Sequence, residues 1–351
     1  MQKFTLLIIL LLCCRSYSQT DTLSHNKDGK YAAIDDYART VKYKNDLGLL
    51  SRELTQNYHS DLEKTRAIFI WITDNISYDY KFVNRNKKIK FPKCKKNQDC
   101  GTIQKAWEDK FLHKVITRKK SICEGYARLF KRLCDDAGIQ GSVVAGYTKQ
   151  KPGQVGKMGP LSHAWNAVLI DGQFYYFDVT WASGSCARNK KGKLEKFQKG
   201  YDDYYWCTPP EKLYRNHFPK DPLWLKDSGY TKERYRDNAY IRGNEMKYLD
   251  IIEPESGVLK VKNGDTIRFK IHYTLNLENL EINTNVKEKP EDQKVEDNED
   301  EDIEMEEVES TIPFKRDGDT IEFEYIIDRK STRYIDVLFD YNRVMRFNVK
   351  F

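Results

Sequence analysis

The dipeptide Asp171-Gly172 constrains the fold of this chain more than any other feature of its sequence. The strand-like runs HAWNAVLI (163–170) and QFYYFDVTW (173–181) lie on either side of it. An Asp-Gly pair between two such runs is a strong signal of a β-hairpin with a two-residue turn. Such a turn would place His163 directly opposite Thr180 on the neighbouring strand.

The same turn would place Trp165 opposite Asp178, so that His163 and Asp178 become diagonal neighbours within side-chain reach on one face. A slip of one residue would move Asp178 to the other face. An aspartate in this place can accept the Nδ1–H of the imidazole and leave Nε2 free to serve a nucleophile. Taken alone, His163 would more often be structural and Asp178 could cap a turn. Together they predict a general base with its orienting carboxylate.

The stretch SICEGYARLFKRLCDDAG (121–138) offers the nucleophile. Ser121 and Glu124 form an S-x-x-E pattern, which predicts that Ser121 caps a helix and that Cys123 is its second residue. A thiol there lies beside unpaired N–H groups at the positive end of the helix dipole, and both favour the thiolate. Core packing or a disulfide is the alternative for Cys123, and the paired base and carboxylate favour catalysis.

The other cysteine of this helix has a different environment. Cys134 shares a helical face with Ala127 and Phe130, so we expect it to pack in the core. Gly138 fits the position just beyond the helix C-terminus. Cys134 is therefore predicted to be structural.

At these residues the sequence resembles the transglutaminase-like superfamily, which has a papain-type Cys-His-Asp fold. A further segment resembles the helix that precedes the cysteine in the branch containing the kyphoscoliosis peptidase. The matching segments are RAIFIWITDNISYD (66–79), CEGYARLFKRLCDDAGI (123–139), VVAGY (143–147), SHAWNAVLIDG (162–172) and YFDVTWASG (176–184).

The resemblance implies a role for each matched residue. Cys123 is the nucleophile, His163 the general base and then acid, and Asp178 the group that orients the imidazole. Related enzymes stabilise the oxyanion with the backbone N–H of the nucleophile and an upstream side chain. Tyr78 and Trp71 are the candidates for that side chain.

The resemblance leaves Trp165, beside His163, with two roles: it shields the imidazole from water, or it packs in the core. The implied chemistry needs no metal and no organic cofactor.

The fold class implied is α+β, with a papain- or transglutaminase-like core in which the helix bearing the cysteine packs on an antiparallel sheet. Short alternating strands from about residue 250 predict a C-terminal β-sandwich. We therefore expect a signal peptide (1–18), an N-terminal helical region (19–59), a transglutaminase-like domain (60–245) with a Lys-rich, poorly periodic surface insertion (83–118), and a β-sandwich domain (250–351) with a disordered acidic insertion (287–310).

The predicted helices rest on spacing and capping. Residues 31–58 carry leucines at helical intervals. Ser60 and Glu63 form a capping box at the start of a second helix, whose apolar stripe stops near Asn75.

The acidic insertion contains twelve Asp or Glu residues and one Lys in 291–309. This composition favours a solvated, disordered segment. A calcium site is the alternative, but the run lacks the loop glycine and ligand spacing of a known calcium motif.

The N-terminus predicts export. Lys3 precedes an apolar run from Leu6 to Cys14, and the small residues of RSYSQ would allow cleavage before Gln19. The run is too short to span a bilayer, so we do not expect an integral membrane protein. Release is expected, with a lipid anchor at Cys13 or Cys14 as the lesser alternative.

Cysteines that remain after cleavage should partly pair in an oxidising compartment. Cys94 and Cys100 are close enough to close a small ring, and Cys186 and Cys207 could close a second. Zinc binding by the first pair is the alternative, but no suitably spaced histidine or second cysteine pair supports it.

The net charge of +7 could suggest nucleic acid, but the Lys and Arg residues are scattered rather than arranged in a stripe, and we expect no nucleic-acid partner. The function predicted is a secreted or periplasmic thiol enzyme acting on proteins or peptides, with hydrolysis favoured over cross-linking. The alternative is an inactive binding or adhesion module. The C-terminal domain could also bind a cell-envelope or extracellular partner.

Overall fold

The computed structural model describes residues 29–226, 228–286 and 310–351. The predicted signal peptide and nearly all of the predicted acidic insertion lie outside these ranges, so both stay predictions. No helix in the described ranges is long and apolar enough to cross a membrane.

The α-helices of the described residues all lie before residue 240. They are α1 (Ala32–Thr40), α2 (Leu47–Thr55), α3 (Asp61–Asn75), α4 (Tyr80–Asn84), α5 (Cys100–Arg118), α6 (Cys123–Asp136), α7 (Val179–Ala182), α8 (Pro210–Leu213) and α9 (Lys232–Asp237).

The strands before residue 240 form one antiparallel sheet and two short pairs. They are β1 (Ser77–Tyr78), β2 (Lys120–Ser121), β3 (Gly141–Thr148), β4 (Leu161–Ile170), β5 (Gln173–Phe177), β6 (Gly184–Ser185), β7 (Gln198–Lys199) and β8 (His217–Pro219). The central sheet has the order β5-β4-β3-β8, while β1 pairs with β2 and β6 with β7.

The C-terminal part consists of strands in two sheets. They are β9 (Tyr240–Ile241), β10 (Leu249–Glu253), β11 (Val258–Lys260), β12 (Thr266–Tyr273), β13 (Leu280–Thr284), β14 (Ser310–Thr311), β15 (Lys315–Asp317), β16 (Thr320–Ile326), β17 (Tyr334–Phe339) and β18 (Asn342–Lys350).

One C-terminal sheet has the order β10-β12-β16-β15, and the other has β11-β18-β17-β13-β14 with β9 on β18. Aromatic pairs join the two sheets: the ring centroids of Phe269 and Phe347 are 5.2 Å apart, and those of Tyr273 and Phe339 are 4.8 Å apart. The predicted α+β class is confirmed, since α6, which bears Cys123, packs on an antiparallel sheet and further sheets follow in the C-terminal part.

The predicted helical region 31–58 is divided into α1 and α2. The Asp46 side chain accepts the Leu49 N–H at 2.7 Å and begins α2, while Asn45 has a φ of 61°. Helix α1 ends earlier, at Val41, whose backbone is extended, so the side-chain cap at Asp46 starts a separate helix. The leucine spacing is thus correct for α2 alone.

Helix α3 begins with the predicted capping box, in which the Ser60 side chain accepts the Glu63 N–H. Every residue from Thr65 to Thr73 is buried. Even Arg66 is enclosed, and its guanidinium binds both carboxylate oxygens of Asp35 at 2.7 Å. The predicted apolar stripe is therefore part of a helix that is surrounded on all sides.

Segment 83–118 is more regular than its composition indicates. Its second half is the 19-residue α5, which the Asp99 side chain caps by accepting the Gly101 and Thr102 N–H groups. Leu112, Val115 and Ile116 bury the C-terminal turns of α5. The surface insertion at 83–118 stays a prediction. Its sequence did not indicate a helix, because the core-facing positions of α5 are confined to the end of the helix.

Helix α6 lies against β3 and β4. It ends as predicted at Gly138, whose φ is +80°, and the Ile139 N–H returns to the Cys134 carbonyl at 2.9 Å. This pattern is a Schellman motif. Cys134 is fully buried, so its predicted place in the core is correct.

Candidate active site

Cys123 is the first residue of α6, and its side chain lies between the helix and the sheet. It is 8% exposed, packs with Ala127 and Ala164, and places Sγ 3.8 Å from the Ser162 carbonyl oxygen. Because the first N–H groups of a helix have no partner within it, the thiol lies beside unpaired donors.

The predicted Ser121 cap is wrong. Ser121 lies in β2 opposite Tyr78, and its carbonyl accepts the Asp79 N–H at 2.8 Å. That strand pairing prevents the cap geometry, so Ile122 precedes the helix without a side-chain cap. Glu124 instead pairs with Arg128 at 2.7 Å. Cys123 is consequently the first helical residue rather than the second.

The hairpin forms in the predicted register. Ile170 pairs with Gln173, and the pairing continues to Asn166 and Phe177. Asp171 and Gly172 have φ values of 50° and 80°, which a type I′ turn requires.

Strand β5 ends at Phe177, one residue before the predicted pairs. Asp178 then caps α7, so Trp165 does not pair with Asp178 and His163 does not lie opposite Thr180. The prediction of a ladder through these residues is wrong. The chain turns because the Asp178 side chain binds the next free N–H groups, as helix-capping aspartates do.

His163 and Asp178 nevertheless meet. Nε2 of His163 lies 2.6 Å from Oδ2 of Asp178, and both side chains are almost fully buried. The expected use of the two ring nitrogens is reversed: Nε2 binds the carboxylate, and Nδ1 is left for the thiol. The structure thus brings Cys123, His163 and Asp178 together.

The Asp178 carboxylate is saturated with donors. Oδ2 binds Nε2 of His163 and, at 3.0 Å, Nε2 of His217. Oδ1 accepts the N–H groups of Thr180 at 2.9 Å and Trp181 at 3.0 Å. Burial acts to raise the pKa of Asp178, but the charge of His163 and hydrogen bonds from both histidines outweigh it and hold the pKa well below its usual range.

The two histidines respond in opposite directions. Burial acts to lower the pKa of His163, yet the charge and hydrogen bond of Asp178, with a contribution from Cys123, raise it to about 10. Burial lowers the pKa of His217, and the charge of His163 acts in the same direction. The hydrogen bond and charge of Asp178 oppose this shift but do not cancel it. His163 is therefore the cation and His217 the neutral ring.

His217 was not identified from the sequence. It lies on β8, the edge strand beside β3, and its Nδ1 is 2.6 Å from the Asn216 side-chain oxygen position. A neutral His217 that donates Nε2–H to Asp178 requires Asn216 to turn its amide NH2 toward Nδ1. The proline-rich stretch around β8 has no periodicity, so no local signal marks this histidine.

The only group of three possible metal ligands in the described ranges is His163, Asp178 and His217, whose ligating atoms lie within 4.8 Å of one another. Both nitrogens that face the carboxylate are at hydrogen-bond distance from the same oxygen. Two hydrogen bonds, one from each histidine to Oδ2 of Asp178, account for this geometry.

Two tryptophans pack near the imidazole. Trp165 stacks on His163 with a centroid distance of 6.1 Å, and the ring of Trp181 lies 5.2 Å from that of His163. Trp165 is 1% exposed. Trp165 is therefore both a buried core residue and a neighbour of the imidazole, as each of its two predicted roles requires. Trp181 is a second aromatic neighbour of His163, and the sequence did not indicate it.

The two oxyanion candidates differ. The Trp71 indole N–H donates to the Val41 carbonyl at 3.0 Å inside the core, so Trp71 cannot serve the oxyanion. Tyr78 lies opposite Ser121, two residues before the thiol. Burial, followed by the charge of Cys123, raises the pKa of Tyr78 far above its usual range, so its hydroxyl stays a proton donor close to the sulfur.

The predicted disulfides also differ. Cys94 and Cys100 are joined by a disulfide. Cys186 and Cys207 are both free thiols, so the second predicted pair is wrong. Burial raises the pKa of Cys186 to about 11 and that of Cys207 still further, which leaves both as unreactive thiols.

Comparison with known proteins gives consistent matches. Residues 49–179 match the family described as the transglutaminase-like superfamily. The human kyphoscoliosis peptidase is 31% identical over 239 residues, which are 67% of this chain and 33% of that protein. The Lim and transglutaminase domain protein ltd-1 of Caenorhabditis elegans is 27% identical over 259 residues, also 67% of this chain and 33% of that protein.

A crystal structure of a candidate cysteine protease from Cytophaga hutchinsonii has a TM-score of 0.26 and 20% identity, covering 50% of this chain and 49% of that chain. This chain spans about a third of the length of each of these two curated relatives.

Proposed function

Residues 49–179 of this chain form a domain of the transglutaminase-like superfamily, and from that premise we propose that the protein is a thiol enzyme that transfers acyl groups through Cys123. The observation that carries the proposal is the 2.6 Å contact between His163 and the buried Asp178, made beside a thiol at the start of α6. A nucleophile, a base and an orienting group in contact are the requirement for covalent acyl transfer.

In the acylation step the Cys123 thiolate attacks the carbonyl carbon of a peptide or carboxamide, and a C–S bond forms. The protonated His163 gives its Nδ1 proton to the leaving nitrogen as the C–N bond breaks. In the second step His163 takes a proton from water as the water oxygen forms a C–O bond to the acyl carbon. The C–S bond then breaks, the acid is released, and the Cys123 thiolate and the His163 imidazolium are restored. Asp178 remains ionised throughout and stabilises the imidazolium.

The oxyanion of the tetrahedral intermediate needs donors near the sulfur. The backbone N–H of Cys123, at the first position of α6, is one, and the Tyr78 hydroxyl is the second. Removing one such donor typically costs roughly 100-fold or more in kcat. Tyr78→Phe is therefore expected to lower kcat while leaving the fold intact.

We favour hydrolysis over cross-linking because the relative with 31% identity is named a peptidase. The same acyl-enzyme would yield a cross-link if a primary amine replaced water. The protein should be incubated with a peptide library in the presence and absence of a primary amine, and the products identified by mass spectrometry. Cleaved or deamidated peptides indicate hydrolysis, and amine adducts indicate transfer.

Cys123→Ala is the decisive variant and should abolish every product. Cys134→Ala is the matched control, because it removes a thiol from the same helix at a buried position remote from His163. Products from Cys123→Ala, or none from the wild type, would contradict the proposal. The second result would favour a binding or adhesion module of the same fold.

We also propose that the protein works in an oxidising compartment, as a secreted or periplasmic protein acting on protein or peptide substrates. The Cys94–Cys100 disulfide supports this, because disulfides persist mainly outside the reducing cytosol. Fractionation of the producing cells, with thiol counting on the isolated protein, tests it. Recovery from the cytosol with Cys94 and Cys100 both reduced would contradict an oxidising compartment.

A partner of the C-terminal sheets is a separate question. Pull-down from cell envelopes, with and without residues 250–351, would test it.

A further inference from the structure

A groove lies immediately before the nucleophile. It encloses about 210 Å³, and its inner end is formed by Ser121 and Ile122, the two residues that precede Cys123. Ile122 adjoins Cys123 in the chain, so its Cα lies about 3.8 Å from that of the nucleophile, and the groove lies beside the start of α6. Its outer wall comes from α5 and from the segment before it.

The wall of the groove is built rather than incidental. Trp107 donates its indole N–H to the Lys90 carbonyl at 3.0 Å and stacks on Phe111 with an interplanar angle of 6°. Phe91 packs on Trp107 at 5.1 Å, and the Arg128 guanidinium of α6 lies 5.3 Å from the Trp107 ring. These contacts fix residues 88–91 to both helices, so the groove has a defined shape.

The groove is strongly cationic. Five bases line it, Lys88, Lys90, Lys114, Arg118 and Lys120, against one acid, Asp79. Asp79 lies 4.0 Å from Arg118. None of the four lysines has a carboxylate within 4.0 Å in the described part of the chain. Elsewhere on α5 and α6 the acids are already paired: Glu108 and Glu124 with Arg128, and Asp109 with Arg132.

From these observations we propose that the groove is a substrate subsite for acidic peptide segments, selecting Asp or Glu residues next to the amide that Cys123 attacks. The lysines provide uncompensated positive charge, and the aromatic floor accommodates the aliphatic part of an extended peptide. The proposal rests on the proposed acyl-transfer function for the position of the reacting bond, but peptide binding can be measured without turnover.

The dimensions indicate where the acids should lie. Helix α5 rises about 1.5 Å per residue, so the part from Trp107 to Arg118 spans about 16 Å, the length of about five extended residues. Test peptides should therefore carry paired Asp or Glu residues two to five positions from the central amide, on one side in one series and on the other side in a second. Neutral peptides with Asn and Gln at the same positions are the reference.

The binding experiment uses full-length Cys123→Ala protein and fluorescent peptides, with anisotropy as the readout. We expect the acidic peptides of one series to bind about tenfold more tightly than their amide counterparts at low salt, and the difference to shrink as ionic strength rises. In Cys123→Ala protein with Lys88→Ser and Lys114→Ser added, the preference should fall to about twofold or less.

Lys105→Ser with Lys110→Ser is the matched control, since both lysines are exposed on α5 and lie outside the groove. This control should keep the full preference. Equal affinity for acidic and amide peptides, or equal loss in the groove and control variants, would overturn the subsite. If wild-type protein binds acidic peptides through the groove but never turns them over, the proposed acyl-transfer activity is contradicted. The groove would then still be a binding site for acidic peptides.

Discussion

At the scale of single residues, we expect the charge on His163 to set the rate at which Cys123 reacts. Its pKa is raised to about 10 by Asp178 and Cys123, despite burial, so the imidazolium persists through neutral pH and is lost only as the pH approaches 10. A positive charge beside the sulfur favours the thiolate, the reactive form. We expect His163→Gln to slow iodoacetamide labelling of Cys123 at about pH 6.5 by roughly tenfold or more.

Labelling is quantified on the peptide that contains Cys123. Cys186 is the internal control, because it is a free, partly exposed thiol whose pKa burial raises to about 11, and its slow labelling should be the same in both proteins. Equal labelling of Cys123 with and without His163 would show that the imidazole does not act on the sulfur.

His217 is expected to be a positioning residue. It donates to the same Asp178 oxygen that holds His163, and its other ring nitrogen faces Asn216, so neither nitrogen is left to serve the thiol. In His217→Phe the Asp178 carboxylate loses one hydrogen-bond donor, so it holds the His163 imidazole less firmly. We therefore expect kcat to fall about tenfold with KM nearly unchanged. His217→Gln keeps an N–H donor and should recover part of kcat.

Steady-state kinetics of both His217 variants, with thermal melting to verify folding, provide the check. A purely structural role would give two variants that differ in melting temperature but share the wild-type kcat. The pH profile adds a second readout, because loss of a donor to Asp178 should move the acid limb of the profile to higher pH.

At this scale the sequence predicts which three residues meet at the site, but not which atoms are in contact. Residue type and order predict Cys123, His163 and Asp178. The choice of ring nitrogen could not be predicted, because it depends on how β4 presents the imidazole to α6. The contribution of His217 could not be predicted either, since it comes from a strand 39 residues after Asp178.

At the scale of elements, the approach of β8 to β4 across β3 fixes the site. A Cβ on Gly146 would lie 2.3 Å from the Phe218 carbonyl oxygen and 2.3 Å from the Trp165 ring. Gly146 also pairs with His163. Since neither a backbone oxygen nor a buried indole can move freely, Gly146→Ala should lower the free energy of unfolding by roughly 1–3 kcal/mol.

Urea denaturation measures this change. Gly153→Ala is the matched control: its Cβ would meet nothing within 4 Å, and the stability should change by less than about 0.5 kcal/mol. A Gly146→Ala protein as stable as the wild type would show that β8 is free to move away from β3.

The elements also show which sequence signals can be trusted. The register of β4 and β5 was predictable because a two-residue turn is a local constraint. The end of β5 was not, because Asp178 leaves the strand to bind N–H groups of α7 and two histidines. The Ser121 cap failed for a related reason: the pairing of β2 with β1 overrides a motif that is favourable in isolation.

At the scale of the whole molecule, one hydrophobic core extends from Tyr31 to Val349. The predicted division into a core domain and a C-terminal domain stays a prediction. What the structure adds is a set of polar contacts that cross the predicted boundary. The Asn348 side chain donates to the Val155 carbonyl at 2.9 Å, and the Arg215 guanidinium donates to the Asp250 carboxylate.

Lys149 makes an unusual set of contacts on the core side of the predicted boundary. It is 3% exposed, and its Nζ donates to the carbonyls of Arg236 and Asn238 at 2.9 and 3.0 Å, just before the first C-terminal strand. Burial lowers the pKa of Lys149 to about 7, although Asp237 acts in the opposite direction. The folded protein therefore keeps a neutral amine at a pH where the unfolded chain carries an ammonium.

This lowered pKa has a defined sign in stability. Between about pH 7 and pH 10.4 the unfolded state binds the extra proton, so this group makes the folded state more stable as the pH rises. Lys149→Met should remove that dependence. The stability difference between wild type and Lys149→Met should rise with pH by up to about 1.4 kcal/mol per pH unit within that window.

Urea denaturation near both ends of the window measures the difference. His163 acts in the opposite direction, since its raised pKa gives stability that is present below about pH 6.5 and is lost as the pH approaches 10. That contribution is common to both proteins and cancels in the difference. Lys157→Met removes an exposed lysine from the same loop and should show no pH-dependent difference. A constant difference for Lys149→Met would mean that the amine reaches water in solution.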